Sequence, residues 1–379
     1  MGNEQVHICL DNGTGFMKGG FSGEEAPRSV FPTLVGMQTE GLQFTSDDNK
    51  PKITGQEALA KLGISKYNYP IENGVITDFD DMEFIWKHML YSELKIVPEN
   101  HNIILTDIPK NKDSNREKIT QIFFEKFNVP GLFIGSTSAM SIYSCGKTNG
   151  IVIDSGESLT NFVPIYEGFS FNQSIRQVNI GGKDLTDYLI KILINKRFNI
   201  DNIQKKQIIN QIKEKYCYCS YDFETEIREE EEGRSLEKKF KLPDGEEVTI
   251  EFERLKTPEI LFNNNLLDKK IQFKGLHGEC YDSIQSCDLE MKKDLYSNII
   301  LAGGNTLFKG LPERLHKEIQ KVTPSALASK VKIIALPERK YAAWIGESIL
   351  SSLINFQCMW ITKAEYGESG SNIVHKKCF

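Results

Sequence analysis

Two aspartates, each followed by a glycine-bearing turn, are the residues in this sequence best suited to handle a polyphosphate. Residues 7–21 read HICLDNGTGFMKGGF, and residues 151–165 read IVIDSGESLTNFVPI. In each stretch a short apolar run ends in an aspartate, Asp11 or Asp154. A turn follows, and an apolar run resumes. Such a pattern is a hairpin signal. Gly13, Gly15 and Gly156 give the backbone access to positive φ and let its amides approach a ligand closely. Successive amides in a turn form a concave anion site. Lys18 follows the first turn, where the returning strand brings its ammonium to the same anion. Two opposed turns of this kind would grip a polyphosphate, with Asp11 and Asp154 holding a hydrated Mg²⁺ that keeps several waters and shares phosphate oxygens. Either turn alone reads more simply as a tight hairpin, since Asp and Gly are common turn residues. The repetition, 143 residues apart from Asp11 to Asp154, points instead to duplicated domains facing one cleft.

Two further segments suit the same ligand. IILAGGNTLFKGLPERL (299–315) is a strand running into Gly303, Gly304 and Asn305 and then a helix, a junction that suits close approach of a nucleotide. Phe308 within it offers an apolar ring to a base. PERKYAAWIGESIL (337–350) sets Lys340 ahead of an apolar helix.

The elements that must carry these residues alternate between strands and helices, the pattern of layered α/β architecture. Helical spacing is read at 80–94, 115–127, 184–196, 202–219 and 293–299. In the second, Ile119, Ile122, Phe123 and Phe127 form a core stripe, and Asn115 stands where a cap is wanted. Polar or charge-rich loops are expected at 37–52, at 228–239 with Glu229–Glu232, and at 263–276.

Composition narrows the function class. The chain has 379 residues, long enough for two core-bearing lobes, with 40% hydrophobic and 26% charged residues. A net charge of −6 argues against a nucleic-acid binder, which normally shows a basic face. No apolar run reaches membrane-spanning length. The first residues show no export pattern, and Val6 stands where a myristoylation signal wants Ser or Thr. The eight cysteines are scattered without a CxxC pair. Cys217-Tyr-Cys219 has no second pair to complete a metal site, so reduced cysteines of an intracellular protein are the expectation.

The stretches LDNGTGFMKGGFSGEEAPRSVFPTLVG, YPIENGVITDFDDME, NREKITQIFFEKFNVP, DLTDYLIKIL, SLEKKFKLPDG, PERKYAAWIGESIL and MWITKAEY…IVHKKCF together resemble the actin family. The resemblance is nearly collinear from residue 6 to Phe379, with small insertions around 263–276 and 324–330. It implies a two-lobed α/β fold with a duplicated mixed-sheet core, shared by heat-shock chaperone ATPases and sugar kinases. The first lobe would be 1–144 plus 341–379, with a loop-bearing subdomain at about 33–70. The second would be 145–340, with an inserted subdomain at about 182–274. The resemblance further implies ATP or ADP in the cleft with Mg²⁺ or Ca²⁺. Nucleotide contacts carry over to Gly13, Thr14, Gly15, Phe16 and Lys18, and to Gly156, Glu157, Ser158 and Leu159. They continue at Gly182, Lys213, Glu214, Gly303, Gly304, Asn305, Phe308 and Lys340. Asp11 and Asp154 match the residues that hold the metal's waters.

The departures fall where the chemistry is done. Within GSTSAMSIY (135–143), Thr137 stands where the family has a glutamine that orients the attacking water, and its side chain is shorter by roughly 2.5 Å. Asn161 replaces a histidine of the same water network, and Glu157-Ser158 replaces Asp-Gly. Loss of one positioned polar group costs on the order of 10²–10³ in rate. Several losses imply a clamp that holds ATP and cleaves it slowly. In the alternative, Thr137 and Asn161 hold the water by a different geometry.

Assembly contacts drift too. The loop at 37–52, with Leu42 and Phe44, the plug at 263–276 and the Glu229–Glu232 run all differ from the family, and Asn73 replaces a histidine that many actins methylate. A filament needs two surfaces to match on every subunit, so self-assembly is placed in doubt. By contrast Tyr143, Gly146, Thr148, Gly168, Ile349, Leu350, Leu353, Phe356 and Met359 match the groove that receives an amphipathic partner helix. Two functions are therefore expected to compete: a nucleotide-stabilised structural subunit, and a specialised polymerising isoform with active ATPase. Partners would be actin-binding-type proteins, further copies of the chain or conventional actin, with no nucleic acid bound directly and no membrane. Cytoplasm and cytoskeleton are the expected location, with cilium or nucleus open.

Overall fold

The computed structural model describes residues 6–38, 52–60, 64–194, 203–232, 237–241, 247–267 and 272–378. The chain divides into two compact units, Met1–Lys147 with Tyr341–Phe379, and Thr148–Lys340.

The first unit is built on a sheet of β1 (Ile8–Asn12), β2 (Phe16–Phe21), β3 (Ser29–Pro32), β9 (Ile103–Asp107), β10 (Gly131–Ser136) and β19 (Ile361–Thr362), ordered β19-β10-β9-β1-β2-β3. β1, β9 and β10 run parallel, with Leu10 beside Leu105 and Leu105 beside Ile134. Covered on both faces, they are nearly continuous apolar runs rather than alternating ones. A second sheet joins β4 (Val35–Gln38) to β5 (Lys52–Thr54) and β6 (Ile64–Asn68). β7 (Ile71–Glu72) and β8 (Val75–Ile76) form a hairpin through Asn73 (φ 48°) and Gly74 (φ 76°), two left-handed residues as its tight turn requires.

The helix Ala342–Ser352 lies over β1, β2 and β9 and packs against the helix Thr137–Ser144. The approach is so close that a Cβ on Gly346 would sit 1.8 Å from the Met140 carbonyl oxygen. Trp86, Phe123, Phe127 and Trp344 fill the core.

The second unit repeats the design with β11 (Gly150–Ser155), β12 (Thr160–Tyr166), β13 (Phe169–Ser170), β14 (Arg176–Val178), β17 (Ile299–Ala302) and β18 (Ile333–Ile334). Its order is β13-β12-β11-β17-β18, with β14 also paired to β12. β11 and β12 are an antiparallel hairpin, while β17 runs parallel to β11. β15 (Lys238–Lys241) and β16 (Glu247–Ile250) form a separate hairpin. Helices Gly182–Ile194 and Ile203–Tyr216 bury Leu185, Leu189, Ile209 and Ile212 in this unit's own core.

Several local expectations need correction. The helix expected from Asn115 begins at Asp113, and Asn115 is no cap. Its buried side chain donates to the Ile76 carbonyl at 2.8 Å. Residues 228–231 are not a loop: the helix Phe223–Glu231 runs through them, with acidic residues at its start and Arg228 in its last turn. Leu42, Phe44 and most of the 37–52 loop lie outside the described residues, as do 268–271. All eight cysteines are free. Only Cys358 is exposed, and Cys145 is half-buried.

Candidate functional site

In the first unit, the turn after Asp11 is held from three sides. The Thr33 side chain donates to the Gly13 carbonyl at 2.8 Å, and its amide donates to the Gly15 carbonyl at 3.1 Å. The Thr106 hydroxyl accepts from the Asn12 amide at 3.0 Å and donates to Asp11 Oδ1 at 2.7 Å. Trp86 Nε1 donates to Asn12 Oδ1 at 3.0 Å. A Cβ on Gly13 would lie 2.6 Å from the Phe16 carbonyl, so only glycine fits the turn as folded. Strand pairing sets Lys18 opposite Asp11, and Lys18 Nζ donates to Asp11 Oδ2 at 2.5 Å with both side chains buried. A cation and an anion pinned at the mouth of a rigid turn can exchange partners when a metal-bound phosphate arrives.

The second unit builds its turn from three segments. Gly182 and Lys183 amides donate to the Gly156 and Glu157 carbonyls at 2.9 and 2.8 Å. Asn305 Nδ2 donates to the Gly156 carbonyl at 3.0 Å and to Ser155 Oγ at 3.3 Å. Gly303 has φ 86°, and a Cβ there would stand 2.2 Å from the Ser155 carbonyl and 2.8 Å from Asp154 Oδ1. Leu159 is buried behind the turn.

Lys213 is buried and donates to the Gly182 carbonyl at 2.9 Å and to Thr186 Oγ1 at 2.8 Å. Burial lowers its pKa, opposed by Glu157 and Glu214. Glu157 presents part of its surface to solvent, yet its carboxyl is turned inward: Oε2 is 3.0 Å from where a Gly182 Cβ would be. Desolvation of the carboxyl raises its pKa, and Lys213 pulls the other way.

The remaining expected residues fall as follows. Glu214 accepts from Asn210 at 2.9 Å on an exposed face. Gly304 opens a short 3-10 turn, Gly304–Leu307, and is exposed. Phe308 is buried in the second unit's core. Thr14, Phe16, Ser158 and Lys340 are partly buried. Asn161 pairs with Asp154 across the β11–β12 ladder, and its Oδ1 is buried without a hydrogen-bond partner. Thr137 opens its helix with Oγ1 in the same condition, and the Ser136 and Ser138 hydroxyls beside it are likewise unpartnered.

Of the groove residues, Tyr143, Gly146, Ile349, Leu350, Leu353, Phe356 and Met359 belong to the first unit, Thr148 and Gly168 to the second. Ile349, Leu353 and Ile354 are exposed, whereas Phe356 is a core residue packed edge-on against Phe133 and Trp360.

Taken by itself, each unit's turn offers groups that fit a divalent ion bound with phosphate. Asp11 and Asp154 each offer one carboxylate at a strand end. Among the described residues no three His, Cys, Asp or Glu gather as a closed metal cage. In each unit a single carboxylate of this kind suits an ion that keeps its waters and takes phosphate oxygens.

Sequence reading missed the supports. Gly181 is one of them: a Cβ would lie 2.4 Å from the Glu157 carbonyl. The Gly181-Gly182 pair was the available signal. Arg339, which donates to the Thr306 carbonyl at 2.8 Å and fixes the 303–306 loop, gave none.

The family model described as Actin matches residues 2–379. The chain belongs to the actin family. Its mixed α/β sheets are those of the actin-like ATPase fold. Actin-family proteins generally bind ATP or ADP with a divalent cation.

Proposed function

We propose that this actin-family protein is a nucleotide-stabilised structural subunit of a cytoskeletal assembly, holding ATP with Mg²⁺ or Ca²⁺ and cleaving it slowly. The observation that carries the reading is Thr137. Its hydroxyl is buried at the first position of the helix Thr137–Ser144, where the family has a longer amide. Phosphoryl transfer depends on positioning and charge stabilisation, so a side chain that falls short by roughly 2.5 Å loses the water rather than merely loosening it.

The turns supply the rest: Lys18 and the amides about Gly13–Gly15 for phosphate, the Gly156–Leu159 turn for phosphate in its own unit, and Asp11 and Asp154 for the ion's waters. When bound, the divalent ion neutralises phosphate charge. The chain's part is to orient the phosphates, with Lys18 beside them in the first unit, and to offer Lys213 as a further nucleotide contact in the second. Ile349, Leu353 and Ile354 form an exposed apolar patch suited to an amphipathic partner helix. Cytoskeleton is the matching location.

The test is the identity of the bound nucleotide. The protein is incubated with Mg-ATP for hours, freed of excess, denatured, and its nucleotide chromatographed. Mostly ATP supports the reading, while mostly ADP with phosphate release at a rate like actin's sinks it.

A second reading, a polymerising isoform with active hydrolysis, is favoured by one observation. Unpartnered buried hydroxyls call for water, and Ser136, Thr137 and Ser138 place three side by side. Sedimentation that depends on concentration in Mg-ATP separates it from the first.

A further inference from the structure

Glu347 is the most anomalous group in the first unit. It lies on the inner face of the helix Ala342–Ser352, is 0% exposed, and neither carboxyl oxygen has a hydrogen-bond partner. The helix that carries it is held close to its neighbour, because the adjacent Gly346 is pressed against the Met140 backbone. A buried carboxylate without a partner is costly, so such a group takes up a proton and stays neutral.

The groups near it belong to the turn described above. Asp11 on β1 raises its pKa and Lys18 on β2 lowers it, both acting through space on top of burial. Cys9, on the same strand as Asp11, has its thiol 3.5 Å from Ser351 Oγ, and Glu347 is among the groups that raise its pKa. The other titratable groups on elements packed against this helix have their own settings. Asp107 at the end of β9 bonds Asn111, Tyr143 lies on the helix Thr137–Ser144, and Cys358 is exposed. Glu24 meets the helix through its carbonyl, which accepts from Ser348, and its charge also raises the Cys9 thiol.

We propose that Glu347 is a positioning residue for the phosphate turn, a neutral acid behind Asp11 and Lys18 whose proton is linked to nucleotide binding. The proposal rests on the nucleotide reading given above. In the ligand-free protein Lys18 is engaged by Asp11. A polyphosphate that draws Lys18 away needs no other anion competing for it. A neutral Glu347 leaves Lys18 to the phosphate. An ionised one pulls Lys18 back and repels the ligand. Affinity for Mg-ATP therefore falls as rising pH strips the Glu347 proton, and nucleotide binding takes that proton up.

The experiment measures Mg-ATP binding by the full chain and by Glu347→Gln from neutral to alkaline pH. Titration calorimetry in buffers of differing ionisation heat counts protons. In the wild type, affinity falls by up to about tenfold per pH unit once Glu347 ionises, with proton uptake on binding. In the variant both effects are absent. A second readout needs no ligand: infrared difference spectra, wild type minus variant, carry a protonated-carboxyl band. Identical pH profiles for the two proteins, or no such band near neutral pH, overturn the proposal. Failure of both proteins to bind Mg-ATP overturns the nucleotide reading and the linkage with it, and the infrared band separately decides whether Glu347 is neutral.

Discussion

Thr137 and Asp107 lie close together in the first unit and make opposite kinds of prediction. Restoring reach with Thr137→Gln is expected to raise single-turnover phosphate release on the order of 10²-fold, measured on ATP-loaded protein. No change would mean that the water is held elsewhere. Asp107 pairs in register with Ser136. Burial pushes its pKa up from 3.8 to about 6, against the hydrogen bond from Asn111 and the Arg116 charge. The folded state thus holds this proton more tightly than the unfolded chain. The stabilisation is complete below about pH 4 and is lost as pH rises to about 6, worth about 3 kcal/mol. Denaturant unfolding of Asp107→Asn is expected to lack that slope. Glu365 runs the other way. Lys377 leads in drawing its carboxyl down to about 2, so its contribution is present at neutral pH and is lost as pH falls from about 4.5 to about 2.

At the scale of elements, the turns were the most legible part of the chain. Asp11 and Asp154 could be read because a strand end, a carboxylate and glycine are neighbours in sequence. The supports could not. Gly181 is needed only because the Glu157 backbone arrives from another segment, and Glu347 is buried only because one helix crosses another. The run at 228–231 was read as a loop because like charges repel. In the fold Phe223 and Ile227, one helical turn apart, are half-buried on a helix that continues through to Glu231. Gly181→Ala is expected to cost about 1–3 kcal/mol and to loosen the Gly156–Leu159 turn, seen as a lower Tm and weaker Mg-ATP binding. An unchanged Tm would mean that the turn yields freely. Near the C-terminal end, Thr362 and Glu365 form a capping box on the helix Lys363–Ser369. Thr362→Ala is expected to remove about 1 kcal/mol of stability, read from denaturant unfolding.

For the molecule as a whole, each unit has its own hydrophobic core and its own glycine turn behind an aspartate. Ligand that binds the folded chain stabilises it by mass action, about 2.7 kcal/mol at a hundredfold excess over Kd. Mg-ATP should therefore raise the Tm, and chelation of the ion should return it to the ligand-free value. A Tm indifferent to both would remove nucleotide from the account. The family and the α/β class were legible across the chain because the matching stretches are spread along nearly all of it.

The distribution of thiols has a practical consequence. Seven of the eight cysteines are shielded to some degree, and burial lifts Cys217 to about 12 and Cys378 to about 11, so little reactive thiolate forms there. A maleimide dye added to the native protein is directed to Cys358, in the short turn Ile354–Met359 beside Ile354. One site-selective fluorophore is thereby obtained without mutagenesis, next to the apolar patch where a partner helix would dock.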